Sequence, residues 1–348
     1  MALNRRGKIV IGVLTAAMVL GTTVAVLAVT GVAKHIPVLR TIAGGKPEHR
    51  VRCLTGKLPA HGSAPDRPAL AIKVENLPEA RPQAGLDKAD IVYEEPVEGG
   101  ITRFIVIFYC QGAARVGPVR SARLTDPPIL LQFGQHTLLG YAGAAGKVEK
   151  AIKTAGLHDL SYTTPAAAKA YVRDPNRVEP HNLYTSTKTL YAAANVRGDR
   201  PRKVFHYGHE SMKGKRAPVA HLDFSPSADV YWRYNRKREV YLRFHGTEAH
   251  VMENGTQVSA TNVVVLSVAL REDTGIVDAA GNPSPEAETV GQGRAFVFRG
   301  GRMIAAQWSR KSGKGVIHLL DRNGAPIHLA RGRTWVELLP KDIPVQFG

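Results

Sequence analysis

The chain has 348 residues, 44% hydrophobic and 22% charged, which is long enough for two cores of ordinary size and excludes wholesale disorder. Two cysteines exclude a disulfide scaffold and any multi-cysteine metal cluster. The formal net charge is +18, and because residues 1–52 hold 8 basic and 1 acidic side chain, the remainder is still +11 and points to an anionic partner.

Arg5, Arg6 and Lys8 precede an uncharged run of 24 residues, Ile9 to Val32, long enough as a helix to cross a bilayer core of about 30 Å. Residues 1–8 therefore read as a cytoplasmic tail and 9–32 as a single transmembrane signal anchor. A cleaved signal peptide with its exit at Gly31-Val32-Ala33 is the alternative. The basic residues beyond the run outnumber those before it, so charge counting leaves the orientation open. Residues 33–68, rich in Gly, Pro and charge without periodicity, read as a stalk.

From residue 69 to 202 the pattern predicts an α/β domain. "ALAIKVE" (69–75), "DIVYEEPV" (90–97) and "RFIVIFY" (103–109) read as strands. Asp126 before two prolines, "GKVEKAIKTAG" (146–156) and Ser186 before "TKTLYAAAN" read as helix starts or helices. From 203 to 348 strands alone are predicted, from "ADVYWRYN" (228–235) to "TWVELLP" (334–340), with turns such as Asn254-Gly255 and Asn323-Gly324. That half is expected to be an antiparallel sandwich or partly open barrel.

The chemistry concentrates between Ala80 and Arg123. Glu94, Glu95 and Glu98 lie one Gly99-Gly100 turn from Arg103, followed by Arg115, Arg120 and Arg123. Strand alternation puts Glu94 on the face opposite Tyr93 and Glu95. Glu98 and Arg103 are expected to face a common cleft. If a helix begins in "RVGPVRSAR" (115–123), Arg120 and Arg123 lie on one side of its first turn, a suitable anion site. "HTLLGYAGAAGKVEK" (136–150) has the wrong glycine spacing for a phosphate loop, and its glycines are read as packing positions. "EPHNLYTS" (179–186) places His181 and Asn182 in a loop, where they can orient or protonate a substrate oxygen. The candidate catalytic residues are thus Glu94, Glu98 and His181, and the ligand-binding candidates Arg103, Arg120, Arg123 and Asn182. "HYGHE" (206–210) does not match a zinc helix, so neither a metal nor another cofactor is expected, and no nucleic-acid reading motif is present.

"RPALAIKVEN", "ARPQAGLDKADIVYEEPVEGGITRF", "GPVRSAR", "PHNLYTS", "TNVVVL" and the terminal "GRTWVELLP" together resemble the YerB-like bacterial envelope proteins that carry domain of unknown function 3048. The resemblance spans residues 53 to 348. It implies an extracytoplasmic two-domain protein tethered to the bacterial cytoplasmic membrane, with no established catalytic role. YerB-like proteins are often lipoproteins, whereas no cysteine ends the apolar run of this chain. Outside the cytoplasm two cysteines tend to pair, so a Cys53–Cys110 disulfide is expected. The expected function is binding of an anionic cell-wall polymer or peptidoglycan through an Arg/Glu/His cleft. Hydrolysis or transfer on wall glycan or glycan phosphate is the alternative.

Overall fold

The computed structural model describes residues 51–208 and 214–348. Within Val51–Gly348, which forms one compact unit, the first half supplies strands β1 (Leu70–Glu75), β2 (Ile91–Pro96), β3 (Thr102–Phe108), β4 (Leu138–Tyr141), β5 (His158–Ser161), β6 (Tyr171–Arg173) and β7 (Leu183–Thr185). Between them lie helices α1 (Asp126–Leu130), α2 (Gly146–Ala155) and, after β7, α3 (Thr187–Ala194). The second half supplies β8 (Lys215–Arg216), β9 (Val219–Ser225), β10 (Ala228–Asn235), β11 (Val240–His245), β12 (Glu248–Ala249), β13 (Ser259–Ala260) and β14 (Asn262–Val268). Then come β15 (Leu270–Val277), β16 (Pro283–Ala287), β17 (Gly291–Arg299), β18 (Arg302–Arg310), β19 (His318–Leu320), β20 (Thr334–Pro340) and β21 (Gln346–Phe347).

An eleven-stranded sheet runs through both halves in the order β19-β18-β17-β14-β20-β2-β3-β1-β4-β5, with β8 also on β18. The seam is β20, which pairs in parallel with β14 on one side and with β2 on the other, from Ile91 opposite Thr334 to Glu94 opposite Glu337. β9 to β13 and β21 form a second, antiparallel sheet over one face, where Leu222, Trp232 and Tyr241 pack with Phe104 and Trp335 and α3 adds Leu190. On the other face α1 and α2 bring Ile129, Leu130, Val148 and Ile152 against Ile105, Ile107 and Tyr141. Burial on both faces explains why β1, β3 and β14 read as nearly unbroken apolar runs.

Two expectations are corrected here. Among the described residues the fold is mostly strands with few helices, the longest α-helix spanning ten residues, in place of an α/β layer domain followed by a separate sandwich or barrel. The reason is long-range: β20 has a free edge on each side, and one sheet spanning both halves satisfies both rows of backbone groups at once. The expected transmembrane helix is not supported either. Residues 9–32 lie outside the described residues, and among the described residues no helix is long and apolar enough to cross a membrane.

Local signals fared well where they were short-range. Ser186 caps α3 through a reciprocal bond pair with Thr189. Asp126 begins α1 one position inside it, after Thr125. Cys53 and Cys110 are joined in a disulfide, Cα atoms 5.6 Å apart, which ties the segment before β1 to the end of β3.

Candidate functional site

The site grows from the carboxyl ends of β1 and β2. In a buried strand the residues two apart share a face, so Lys73 and Glu75 on β1, Glu95 on β2 and Arg103 on β3 all point to the side covered by α1 and α2. Arg103 is directly opposite Glu75 across one pairing and directly opposite Glu95 across the other. Both carboxylates nevertheless bond other cations, Glu95 through one oxygen only, its Oε2 being buried without a hydrogen-bond partner among the described residues. Glu75 accepts from Arg120 Nε at 2.8 Å on one oxygen and meets His181 Nδ1 at 2.9 Å on the other. Glu95 is bonded by the Lys73 ammonium, which also donates to Asp126 Oδ1 at 2.8 Å.

Arg103 is therefore a buried cation, 4% exposed, with no carboxylate within 4.0 Å among the described residues. Its Nη1 donates to the Ser121 carbonyl at 2.9 Å, and its Nε is buried without a partner. Burial pulls its guanidinium down to about 9, and nearby Arg123 pushes the same way. Such a cation is costly to hold unless something anionic completes it.

Arg120 and Arg123 do not sit on a helix as expected. Residues 116–120 run extended, with Val119 bridging to Val74 and the Arg120 amide donating to the Lys73 carbonyl, because pairing to β1 takes the backbone groups that a helical turn would use. The two arginines consequently differ. Among the described residues Arg120 is bonded only through Nε, and its two terminal nitrogens have no partner in a half-buried position. All three nitrogens of Arg123 are engaged, Nε and Nη2 by Glu98 at 3.0 and 2.6 Å and Nη1 by the Ala122 carbonyl at 2.9 Å. Burial raises Glu98, but the Arg123 bonds outweigh it and its carboxyl ends below the usual range.

His181 faces Glu75 from a loop stitched by its neighbour. Asn182 accepts from Arg173 at 2.7 Å and donates to the carbonyls of Asp174 and Arg177, so its role here is to hold the loop that carries His181. Glu94 stands apart from this cluster. It lies on the opposite sheet face, fully buried, gripped by Arg243 Nη2 at 2.8 Å to each oxygen and bonded by Thr102 at 2.7 Å. Its strand neighbour Glu337 accepts from Trp232 at 2.6 Å, and burial, with the charge of Glu94, raises it well above the usual carboxylate range. Arg243 also meets His250, which bonds Gln83 at 2.8 Å, so this second cluster fastens the small sheet to the large one.

The structure thus brings Arg103, Arg120, His181 and, at the rim, Arg123 with Glu98 together, and leaves Glu94 outside. Glu75, the hub, was not singled out in the sequence. The available signal was its position: Lys73 and Glu75 are charges on one face of an otherwise apolar strand, and buried charges demand partners. Among the described residues no group of three or more His, Cys, Asp or Glu side chains is arranged to hold a metal. His209 and Glu210 of "HYGHE" lie outside the described residues.

Fold and site define a protein whose two sequence halves share one sheet around a buried arginine cluster, and comparison with known proteins agrees on the halves. Residues 54–200 match the N-terminal domain, and residues 220–336 the C-terminal domain, of the family described as protein of unknown function (DUF3048), so the chain belongs to that family. It is 28% identical over 295 residues to the "Putative lipoprotein YerB" of Bacillus subtilis (strain 168), covering 82% of this chain and 85% of that one. The crystal structure of the YerB protein from Bacillus subtilis is similar to it with a TM-score of 0.70 at 25% identity, over 84% of this chain and 98% of that chain.

Proposed function

We propose that this is an extracytoplasmic envelope protein that binds an anionic group of a cell-wall polymer between Arg103, Arg120 and His181. The observation that carries the reading is Arg103, buried and without a carboxylate within 4.0 Å among the described residues although Glu75 and Glu95 lie opposite it in the sheet. Arg120 supplies an open guanidinium fork beside it, the geometry suited to an oxyanion. The net positive charge of the chain adds long-range attraction for an anionic polymer, and the lipoprotein among the relatives supports a membrane-associated envelope location. Hydrolysis of wall glycan has less support, because Glu94 is sealed by Arg243 and Glu98 is held by Arg123.

The test is a pull-down of the purified protein on intact wall, on wall stripped of its anionic polymers, and on free DNA. Retention on intact wall alone is the expected outcome. Equal retention on stripped wall, or preference for DNA, counts against the proposal. Arg120→Ala is expected to weaken retention at least about tenfold, since a charge-assisted bond contributes about 1.5–3 kcal/mol, and Arg120→Lys to recover part of it.

A further inference from the structure

We propose that the group taken by this site is a phosphoryl oxyanion and not a carboxylate, an inference that rests on the anion-binding reading above. The donors come from three directions: Arg103 from β3, Arg120 from the extended segment before α1, and His181 from the loop before β7. A carboxylate presents its two oxygens in one plane, so donors that converge from three directions meet it less evenly than they meet a tetrahedral group. A phosphoryl group offers oxygens on several sides and can accept from all three.

A second observation points the same way. Arg120 and Ala122 run beside the turn after β4: the Ala142 amide donates to the Arg120 carbonyl at 3.0 Å and the Ala122 amide to the Gly143 carbonyl at 3.2 Å. Gly143, at φ +74°, turns the chain there into α2, a ten-residue helix with no side-chain cap. The amides of Ala144 to Lys147 donate to no acceptor among the described residues. Open amides at a helix start favour phosphate. The two glycines around that turn also divide by role. A Cβ on Gly140 would come within 2.8 Å of Leu190, which is a packing constraint, whereas one on Gly146 would meet nothing within 4 Å, leaving space at the helix start.

The experiment measures binding of the full protein to poly(glycerol phosphate), to polygalacturonate of matched length and charge, and to phosphatidylglycerol vesicles, with Arg103→Met and Arg120→Ala as variants. The phosphate polymer is expected to bind at least about tenfold more tightly than the uronate, to be displaced by inorganic phosphate but not by acetate at equal ionic strength, and to lose that advantage in either variant. Vesicle binding that vanishes in both variants while the polymer is ignored keeps the phosphoryl assignment and moves its source to lipid. Uronate binding equal to or tighter than phosphate overturns the phosphoryl assignment and leaves the anion-binding reading standing. Binding to none of the three, together with no retention on wall, removes both.

Discussion

Glu75 and Arg103 are directly opposed across the β1–β3 pair, yet the carboxylate is shared by Arg120 and His181 and, among the described residues, the guanidinium has one hydrogen bond, to a backbone carbonyl. A strand pair normally places opposite charges together because the pairing stabilises both. Here the carboxylate instead organises two further donors beside a third that it does not bond. That division of partners is hard to explain as packing, since a buried ion pair gains little and a buried unpaired charge costs several kcal/mol in practice.

The second cluster behaves as a structural one. Arg243 lies against the rings of Phe104 and Trp335, 5.5 and 5.6 Å from their centroids, and its Nη2 donates to both oxygens of Glu94. Arg243→Met leaves a buried carboxylate unpaired and is expected to lower stability by about 3–5 kcal/mol, with wall binding of the remaining folded protein unchanged. Adding Glu94→Gln should recover part of that loss, because the orphaned charge goes with it. Denaturant unfolding of the wild type and the two variants checks this. Wall binding lost in a fully folded Arg243→Met protein would move the site to the other face.

How much of this was legible in the sequence depends on range. The strands around Lys73, Glu94 and Arg103 were visible as short apolar runs, and alternation already separated Glu94 from Glu95. Grouping Glu94 with the arginines failed because its true partner, Arg243, is 149 positions away and no local pattern announces it. Glu75 was missed for a related reason: the β1–β3 register that sets it against Arg103 is a tertiary property. Arg123 and Asn182 lie in the same region, but only side-chain accounting shows that both are occupied in holding other groups. The parallel insertion of β20 joins segments more than two hundred residues apart, which no local pattern announces.

Asp90 supplies a pH dependence. Burial raises its carboxyl to about 6, while the Tyr109 amide bonds one oxygen at 2.8 Å and the other oxygen has no partner. The folded pKa is above the ordinary one, so the folded state holds the proton longer than the unfolded state. Stability from the neutral form is full below about pH 4 and is lost as pH rises to about 6. Asp90→Asn should therefore match the wild type near pH 4 and exceed it by an increasing margin that levels off above pH 6, at an order of 3 kcal/mol. Melting curves from pH 4 to 8 test the sign. A variant less stable than the wild type at pH 7 would show that the charged form is the one the fold favours.

The Cys53–Cys110 bridge closes a sequence separation of 57 residues and fastens the segment leading into β1. A loop of that order contributes about 4 kcal/mol in the chain-entropy model, so Cys53→Ser with Cys110→Ser should unfold at clearly lower denaturant. Maleimide should label neither cysteine of the native, unreduced protein. Labelling of both without reductant contradicts the bridge.

The central claim is that Arg103 is held for a ligand and not for the fold, and ligand-induced stabilisation of Arg103→Met tests it most directly. Melting temperatures are measured for wild type and variant, each alone and with purified anionic wall polymer. Without polymer the variant should melt at or above the wild-type temperature, because a buried, unpaired cation has been replaced by an apolar side chain of similar length. With polymer the wild type should rise and the variant should not, since only a ligand bound to the native state shifts the transition. A variant that melts lower on its own and is still stabilised by polymer as strongly as the wild type would make Arg103 a structural residue and contradict the account.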